Sequence, residues 1–597
     1  MKKIYFILFA ILVSTGCDDN FLEKLPKDAL VEETTFVNYE NFKTYAWGFY
    51  ETFPAYNLSV PNSEFHGDLF SNSFAFDNSG ASAWIWGRIN VPTNSDEWTI
   101  PYQQIRRANI MLGNLESSQL TENDQAHWRS VGLFFRSWSY FNLLIKYGDV
   151  PWVEETLTEA DPRLYAARDT RDQVAANILR DLTYAEENIR EEGDGKNTIN
   201  VHVVRALISR FGLFEGTWRK YHELGGETEF LRASADASLE LINTFSTLHP
   251  NYDEVFNSAS LDGVNGILLY KQYEEGALTQ ILTSRHRNSA GNWDLTKKAA
   301  DMFLYTDGTP VSANPAFAGG SGLESDPYSE FRDRDRRMYF ITVPPFKVNT
   351  PGNQNVKEWS HTGDPADREY IDLMATLSDE LHKQLPTSNW GGLIVRETPH
   401  WRPFNNGQPY NVTRTGYKLF KYYNALNTGV QNRDFADAPI FRMGEVMMNY
   451  AEAKFELSEF DQAVADQTIN LLRARGQVAA LTVANIDAGF DPVRDPEIDP
   501  ILWEIRRERA VELMAEGFRF DDLRRWRKMD DYAAKEKLGR YIVASDLNNT
   551  VPVQNGAAEG YVSWFGTPPL FPEHYYLYPI PSNQIVLNDN IRQNTNW

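Results

Sequence analysis

One cysteine, Cys17, stands in 597 residues. A disulfide, a cysteine-ligated zinc site and paired-thiol chemistry are therefore excluded within a single chain. The ten histidines are scattered, with His382 and His400 the closest pair, so no helix can present two imidazoles to a metal in the HExxH manner. GxSxG and GxxxxGK motifs do not occur. Long apolar runs are scarce as well. The longest, Ile4–Val13, is too short to cross a bilayer of about 30 Å as a helix.

That run follows Lys2 and Lys3 and ends in Ser14, Thr15 and Gly16 before Cys17, the pattern of a secretory leader with cysteine at its cleavage point. Residues 1–16 read as a signal peptide, and Cys17 as the site of lipid attachment. Residues 17–30 then form a polar, acidic tether. Acyl chains contribute about 0.8 kcal/mol per buried CH₂, so two or more would hold the protein on a membrane.

The formal net charge is −24. Nucleic acid is excluded as a partner, because a phosphate backbone demands a basic face. Aromatic residues are plentiful, with 16 Trp, 29 Tyr and 35 Phe. Most must be core, but rings exposed on a secreted protein suit the C–H faces of sugars.

Apolar residues spaced three and four apart predict helices over Asn41–Phe53, Ile100–Leu115, Asn123–Lys146, Thr170–Ile189, Val201–Tyr221 and Ala233–Phe245. Residues 31–249 are thus a helical region. From 250 to 437, Gly, Pro, Asn and Asp become frequent and the stripes shorten, which marks a loop-rich insertion. Helices return within 438–530, at Pro439–Leu457, Asp461–Arg475, Pro500–Gly517 and Phe520–Met529, before an extended tail over 531–597. Trp138, Trp218, Trp503 and Trp526 sit in or at the ends of helical stripes and are expected to be core.

Several motifs then occur in order. Arg442-Met443-Gly444-Glu445-Val446 leads to Tyr450-Ala451-Glu452-Ala453. Ile469–Arg475, Ile505–Leu513, Glu516-Gly517-Phe518-Arg519 and Asp522–Trp526 follow, and Tyr578-Pro579-Ile580-Pro581 lies near the end. With Arg107-Ala108-Asn109, Arg136 and Tyr147–Pro151 in the first half, the chain resembles the SusD/RagB family over nearly its whole length. It departs at the last positions, Thr595-Asn596-Trp597.

The resemblance implies a mainly α, SusD-like domain over 31–597: a scaffold of tetratricopeptide-like helix pairs carrying the loop-rich insertion. It implies a non-enzymatic lipoprotein, anchored to the outer membrane and exposed at the cell surface. Such a protein binds polysaccharide or oligosaccharide beside a SusC-like TonB-dependent transporter. A surface glycoside hydrolase and a receptor for a non-glycan nutrient such as peptide are the alternatives.

Glu504, Glu508, Glu512 and Glu516 form one stripe at 100° per residue. A glycosidase needs two carboxyls about 5–10 Å apart. Arginine nearby depresses a carboxyl and spoils a general acid, so the stripe reads as a structural ion network, with Arg509, Arg519, Arg524 and Arg525 as expected partners. Asp333 and Asp335 read as a salt-bridged turn. No cofactor is expected, although loop oxygens leave room for a structural calcium ion.

The binding face is placed on Asp68, Asn72, Asp77, Asn78, Trp84 and Trp86. In an extended segment the two tryptophans would share one side. The resemblance adds Arg285, Trp293, Trp359 and Trp390 from the insertion.

Overall fold

A computed structural model describes residues 35–75, 77–288, 291–317, 322–351, 357–401, 412–547 and 550–597. The expected leader, Cys17 and the tether lie outside these residues.

The first half is built from α1 (Tyr39–Trp47), α2 (Asp96–Gly113), α3 (Glu122–Tyr147), α4 (Arg171–Asn188), α5 (Val201–Tyr221) and α6 (Glu227–Thr244). Local chemistry sets their ends. Thr121, Thr170 and Asn200 accept backbone N–H groups at the starts of α3, α4 and α5. Gly148, at φ 72°, stops α3. The stretch Tyr147–Pro151 therefore ends the helix at its glycine.

Neighbouring helices pack as α2 on α3, α3 on α4 and α5 on α6. Gly212 and Gly216 lie one turn apart on α5 and allow α6 to come close. A Cβ on Gly212 would meet the Phe230 carbonyl at 2.5 Å, and one on Gly216 would meet Leu231 at 2.6 Å. The second helical region comprises α7 (Met443–Glu456), α8 (Gln462–Gln467), α9 (Ile469–Gly476), α10 (Pro500–Glu512) and α11 (Arg519–Arg525). In it α7 packs on α6 and on α10.

Two antiparallel pairs tie the insertion to the scaffold. β1 (Phe70–Asn72) pairs with β3 (Trp293–Leu295), and β2 (Ile267–Lys271) pairs with β4 (Ala438–Arg442). The second pair sets Ile267 opposite Arg442, so the two ends of the insertion meet. In the tail, β5 (Leu538–Val543) and β6 (Glu559–Ser563) form a bulged antiparallel pair.

The apolar residues gather in two main cores. One lies among the helices and includes Phe42, Phe134, Phe211, Leu241 and Met447. The other lies beneath the insertion and includes Phe70, Trp293, Phe303, Phe346 and Tyr422. α10 serves both, giving Ile505 to the first and Val511 to the second.

The glutamate stripe of α10 is a structural network. Glu504 pairs with Arg473 and Arg507, Glu508 with Arg337 and Arg473, and Glu512 with Arg337, Arg442 and Arg475. Glu516 lies past the helix end and pairs with Arg442 and Lys421.

The expected cations were the wrong ones. Arg509 binds Asp522, Arg519 binds Asp68, Arg525 binds Glu452, and Arg524 binds Asp521. The reason is angular: Arg509 follows Glu508 by one residue, which turns it about 100° away from the stripe. Apart from Arg507, three residues on from Glu504, the stripe's partners come from distant segments. The arginines at 337, 442 and 475 hold the Glu512 carboxyl far below its usual range, despite burial. It cannot act as a general acid. Asp335 caps the helix beginning at Arg336 and binds Arg337 at 2.7 Å, as the salt-bridged turn predicts, whereas Asp333 is exposed and makes no ion pair among the described residues.

Among the described residues, one carboxylate group is compact enough for a metal ion: Asp495, Glu497 and Asp531. The ammonium of Lys528 already contacts all three, at 3.2, 3.0 and 2.8 Å.

Candidate functional site

A cleft of about 1160 Å³ opens between the helical scaffold and the N-terminal segment. α3 supplies Trp138, Phe141, Asn142 and Lys146 to its wall, and α5 supplies Arg210 and Phe214. β4 adds Ile440, and the turn before α11 adds Phe518. Residues 52–66 and 80–83 form the opposite side, and the first turn of α2, with Asp96, Glu97 and Ile100, forms the mouth. The wall thus alternates ring faces with amides, hydroxyls and charges, the composition that fixes and orients small ligands.

Arg210 is fixed at mid-wall. Its Nε and Nη2 donate to Glu445 at 2.6 Å each, and Nη2 donates to the Ile440 carbonyl at 3.0 Å. Its guanidinium lies 4.3 Å from the Phe441 ring centre and 5.3 Å from that of Phe518. Phe518, half-buried, also has the Arg509 guanidinium 5.7 Å from its ring centre.

Gly517 takes φ 88°, a conformation costly for any residue with a Cβ, and its N–H donates to Glu64 Oε1 at 2.7 Å. Burial pushes the Glu64 carboxyl up to about 8, and the ring of His66 down to about 4. His66 is therefore neutral at pH 7, with Nδ1 hydrogen-bonded to Ser82 Oγ at 2.8 Å. At the other lip, Asn292 Nδ2 donates to Asn72 Oδ1 at 3.0 Å, and Asn72 Nδ2 donates to the Gly80 carbonyl at 3.2 Å.

The Glu64 shift has a testable sign. An acid whose folded pKa is raised keeps its proton in the native state while the unfolded chain has lost its own. Stability from this group therefore falls as pH rises from about 4.5 to about 8. Glu64→Gln keeps the Oε1 acceptor without the charge. It is expected to stabilise the protein by about 1–3 kcal/mol at pH 9 and to change little at pH 4.5. Denaturant midpoints of both proteins at the two pH values check this; an equal shift at both would show that the carboxyl does not titrate there.

The sequence-predicted site residues divide. Asn72 lines the cleft, and Trp86, half-buried, lines a narrow crevice beside it with Phe65 and Ser82. Asp77 and Asn78 are exposed on the adjoining turn, where Asp77 accepts the Ser79 N–H at 2.8 Å. Trp359 and Trp390 are exposed on the insertion. Their segments meet where the Lys357 side chain passes Gly392. Arg285 is half-buried on the short helix Leu282–Arg287.

Three placements are corrected. Trp84 is 7% exposed and packs on Phe520, Tyr575 and Tyr578. Its segment is a turn, with Trp86 N–H donating to the Ser82 carbonyl and Arg88 N–H to that of Ala83, so strand alternation does not apply. Trp293 is buried in the second core, stacked on His286 at 4.9 Å, and its Nε1–H donates to Asn62. Asp68 is buried between Arg519 and Lys298 at 2.8 Å each, which keeps its carboxyl ionised. None of the three offers a face to a ligand.

Trp138, Trp218 and Trp526 are core as expected, although the edge of Trp138 reaches the cleft. Trp503 is half-buried and donates to Asp491. Sequence reasoning missed Asn142, Lys146, Arg210 and Phe518. The available signal was an arginine in the middle of the apolar α5, and a phenylalanine following a glycine in the Glu516–Arg519 motif.

Paired helices carrying a loop-rich face over such a cleft define a mainly helical, SusD-like fold. A model described as the SusD family matches residues 267–597, and another, described as starch-binding associating with outer membrane, matches residues 20–213. The chain belongs to the SusD family. It is 22% identical over 612 aligned residues to SusD-like protein P2 of Formosa agariphila, covering 100% of this chain and 99% of that one. A SusD-like protein of Bacteroides ovatus is 23% identical over 59% of this chain and 65% of its own length. Among solved structures, a SusD-like carbohydrate-binding protein of Bacteroides fragilis superposes with TM-score 0.65 at 18% identity, covering 94% of this chain and 100% of the other. A laminarin-binding SusD-like protein gives TM-score 0.52 at 17% identity, with coverage of 94% and 100%. These structural likenesses show the fold.

Proposed function

We propose that this chain is a surface glycan-binding lipoprotein, anchored to the outer membrane through Cys17, that captures polysaccharide or oligosaccharide and passes it to a SusC-like TonB-dependent transporter. The observation that carries the reading is the cleft itself. It is lined by the half-buried ring of Phe518 and by the amides of Asn62, Asn72 and Asn142. Rings stack on the C–H faces of sugars while amides meet their hydroxyls. The description of the family model matching residues 20–213, and the SusD-like relatives, support capture at the outer membrane.

Catalysis finds less support. Glu445 and Glu516 are committed to arginines, and Asp522 lies between Arg509 and Arg525. Asp521, Asp96 and Glu97 are the described cleft carboxyls outside this pattern: Asp521 is raised by burial although Arg524 binds it at 2.9 Å, Glu97 pairs with Lys146, and Asp96 makes no ion pair among the described residues.

The test is affinity electrophoresis of the full-length chain in mild detergent against a glycan panel, with reducing-end analysis of each mixture. Retardation by one polysaccharide without new reducing ends is expected, and Phe518→Ala should weaken it about five- to tenfold, the worth of one stacked ring. New reducing ends, abolished by Asp521→Asn, would replace the receptor by a hydrolase. Absence of retardation by any glycan would reject the reading.

A further inference from the structure

Among the described residues, the cleft wall carries five cations, and each is already held by an acid. Lys146 pairs with Glu97 at 3.3 Å, Arg210 with Glu445 at 2.6 Å and Arg442 with Glu516 at 2.6 Å. Arg509 pairs with Asp522 at 2.9 Å and Arg525 with Glu452 at 2.6 Å. The four guanidinium pairs are largely withdrawn from water: the arginine side chains are 15%, 5%, 5% and 2% exposed, and their partners no more than 12%. At the mouth, Asp96 is exposed on the first turn of α2 and makes no ion pair among the described residues.

Recognition of a carboxylate or sulfate relies on an arginine or lysine whose donors are available to it. Here, an anionic sugar would have to draw a guanidinium from its carboxylate and leave that carboxylate buried without a partner, or draw Lys146 from Glu97, whose exposed charge stays beside it. It would also pass Asp96, on a chain whose net charge is −24. Three nearby cations do not change this, and one of them, Lys537, is turned to the carbonyls of Phe65 and Phe70. Arg88 is turned to the carbonyls of Asn78 and Ala81, and Lys535 lines the narrow crevice beside Trp86, outside the cleft. What the wall offers an uncharged ligand is ring faces and the amide atoms outside these bonds, such as Asn62 Nδ2 and Asn142 Oδ1, since Asn62 Oδ1 accepts from Trp293, Asn142 Nδ2 donates to the Trp138 carbonyl and Asn72 is bonded through both amide atoms.

We propose, resting on the glycan-binding reading above, that the cleft selects uncharged glycans and discriminates against polymers bearing uronate or sulfate groups. The discrimination is electrostatic, built from committed cations and from the acidic mouth.

The experiment uses the full-length chain in mild detergent and affinity gels containing either neutral polymers (mannan, xyloglucan, mixed-linkage and β-1,3-glucans) or anionic ones (alginate, polygalacturonate, carrageenan), at low and high NaCl. Retardation is expected in a neutral gel only, with a dissociation constant that moves less than about twofold with salt, since no ion pair forms on binding. The variant carrying Asp96→Asn and Glu97→Gln, both exposed positions, frees Lys146 and is expected to gain about fivefold or more toward the anionic polymers at low salt. Retardation of the unaltered chain by an anionic polymer, weakening as NaCl is raised, would overturn the proposal while leaving glycan binding intact. Failure to bind either set would remove the glycan-binding reading and the selectivity with it, so the two failures are told apart.

Discussion

Glu512→Ala is expected to destabilise the protein by about 3–5 kcal/mol, the cost of leaving buried charge without its partner. Three guanidinium groups, from Arg337, Arg442 and Arg475, converge on this one carboxylate, and all three side chains are at most 5% exposed. The three arginines come from the insertion, the end of β4 and the end of α9, so the carboxylate joins segments that share no local sequence. Removing it leaves Arg475 without an acid in a space where water cannot solvate it, and takes one acid each from Arg337, which keeps Asp335 and Glu508, and Arg442, which keeps Glu516. Glu512→Gln should be milder in packing but still costly, because an amide cannot accept from three donors while donating through its own NH₂. Equilibrium denaturation in guanidinium chloride checks both variants. A loss below about 1 kcal/mol for Glu512→Ala, typical of a surface pair, would show that the network does not hold the fold. The carboxyl's depressed pKa sets the pH window. Its stabilisation is present above the unfolded value near 4.5 and is lost only as pH falls toward the depressed folded value. The penalty of Glu512→Ala should therefore be constant from pH 6 to 8 and shrink under strong acid.

Trp84→Ala is expected to cost a similar amount, about 3–5 kcal/mol, as a large aromatic removed from a packed interior. The indole lies 4.4 Å from the Tyr578 ring, 5.5 Å from Tyr575 and 5.7 Å from Phe520. It fastens the turn at 83–88 to the C-terminal tail and to α11. Trp84→Phe should recover a good part of the loss. The comparison that matters is with ligand binding. A buried indole predicts a fall in unfolding midpoint with affinity unchanged in the fraction that remains folded, and Trp86→Ala should move the midpoint less. A loss of affinity at unchanged midpoint would restore Trp84 to the ligand face.

How much of this was legible differs from element to element. Helices α3, α4 and α5 fall almost where the apolar spacing placed them, because a long amphipathic stripe with an N-cap residue at one end and a stop signal at the other is local information. The glutamate stripe was visible for the same reason, and its structural role followed from the density of arginines. Its partners were not visible. They arrive from positions 337, 442 and 473, between 31 and 175 residues away from the carboxylates they bind.

The site shows the same division more sharply. From the sequence, Trp84 and Trp86 were a pair on one face. That depended on the backbone between them being extended, and a turn closed by hydrogen bonds to Ser82 and Ala83 separates them. Asp68 looked like a loop acid until Arg519, 451 residues on, took it into the interior. The cleft wall draws on α2, α3, α5, β4 and the turn before α11, and no spacing rule connects residues drawn from such separate elements.

The sequence by itself determined the helical class and, through ordered motifs, the family. The tertiary structure alone decided which rings are core and which are surface, which cations are spent on which acids, and hence what the cleft has left to offer a ligand. The physical reason is range. Helix propensity, capping and turn formation act over a few residues, whereas burial and ion pairing depend on neighbours that only the folded chain brings together.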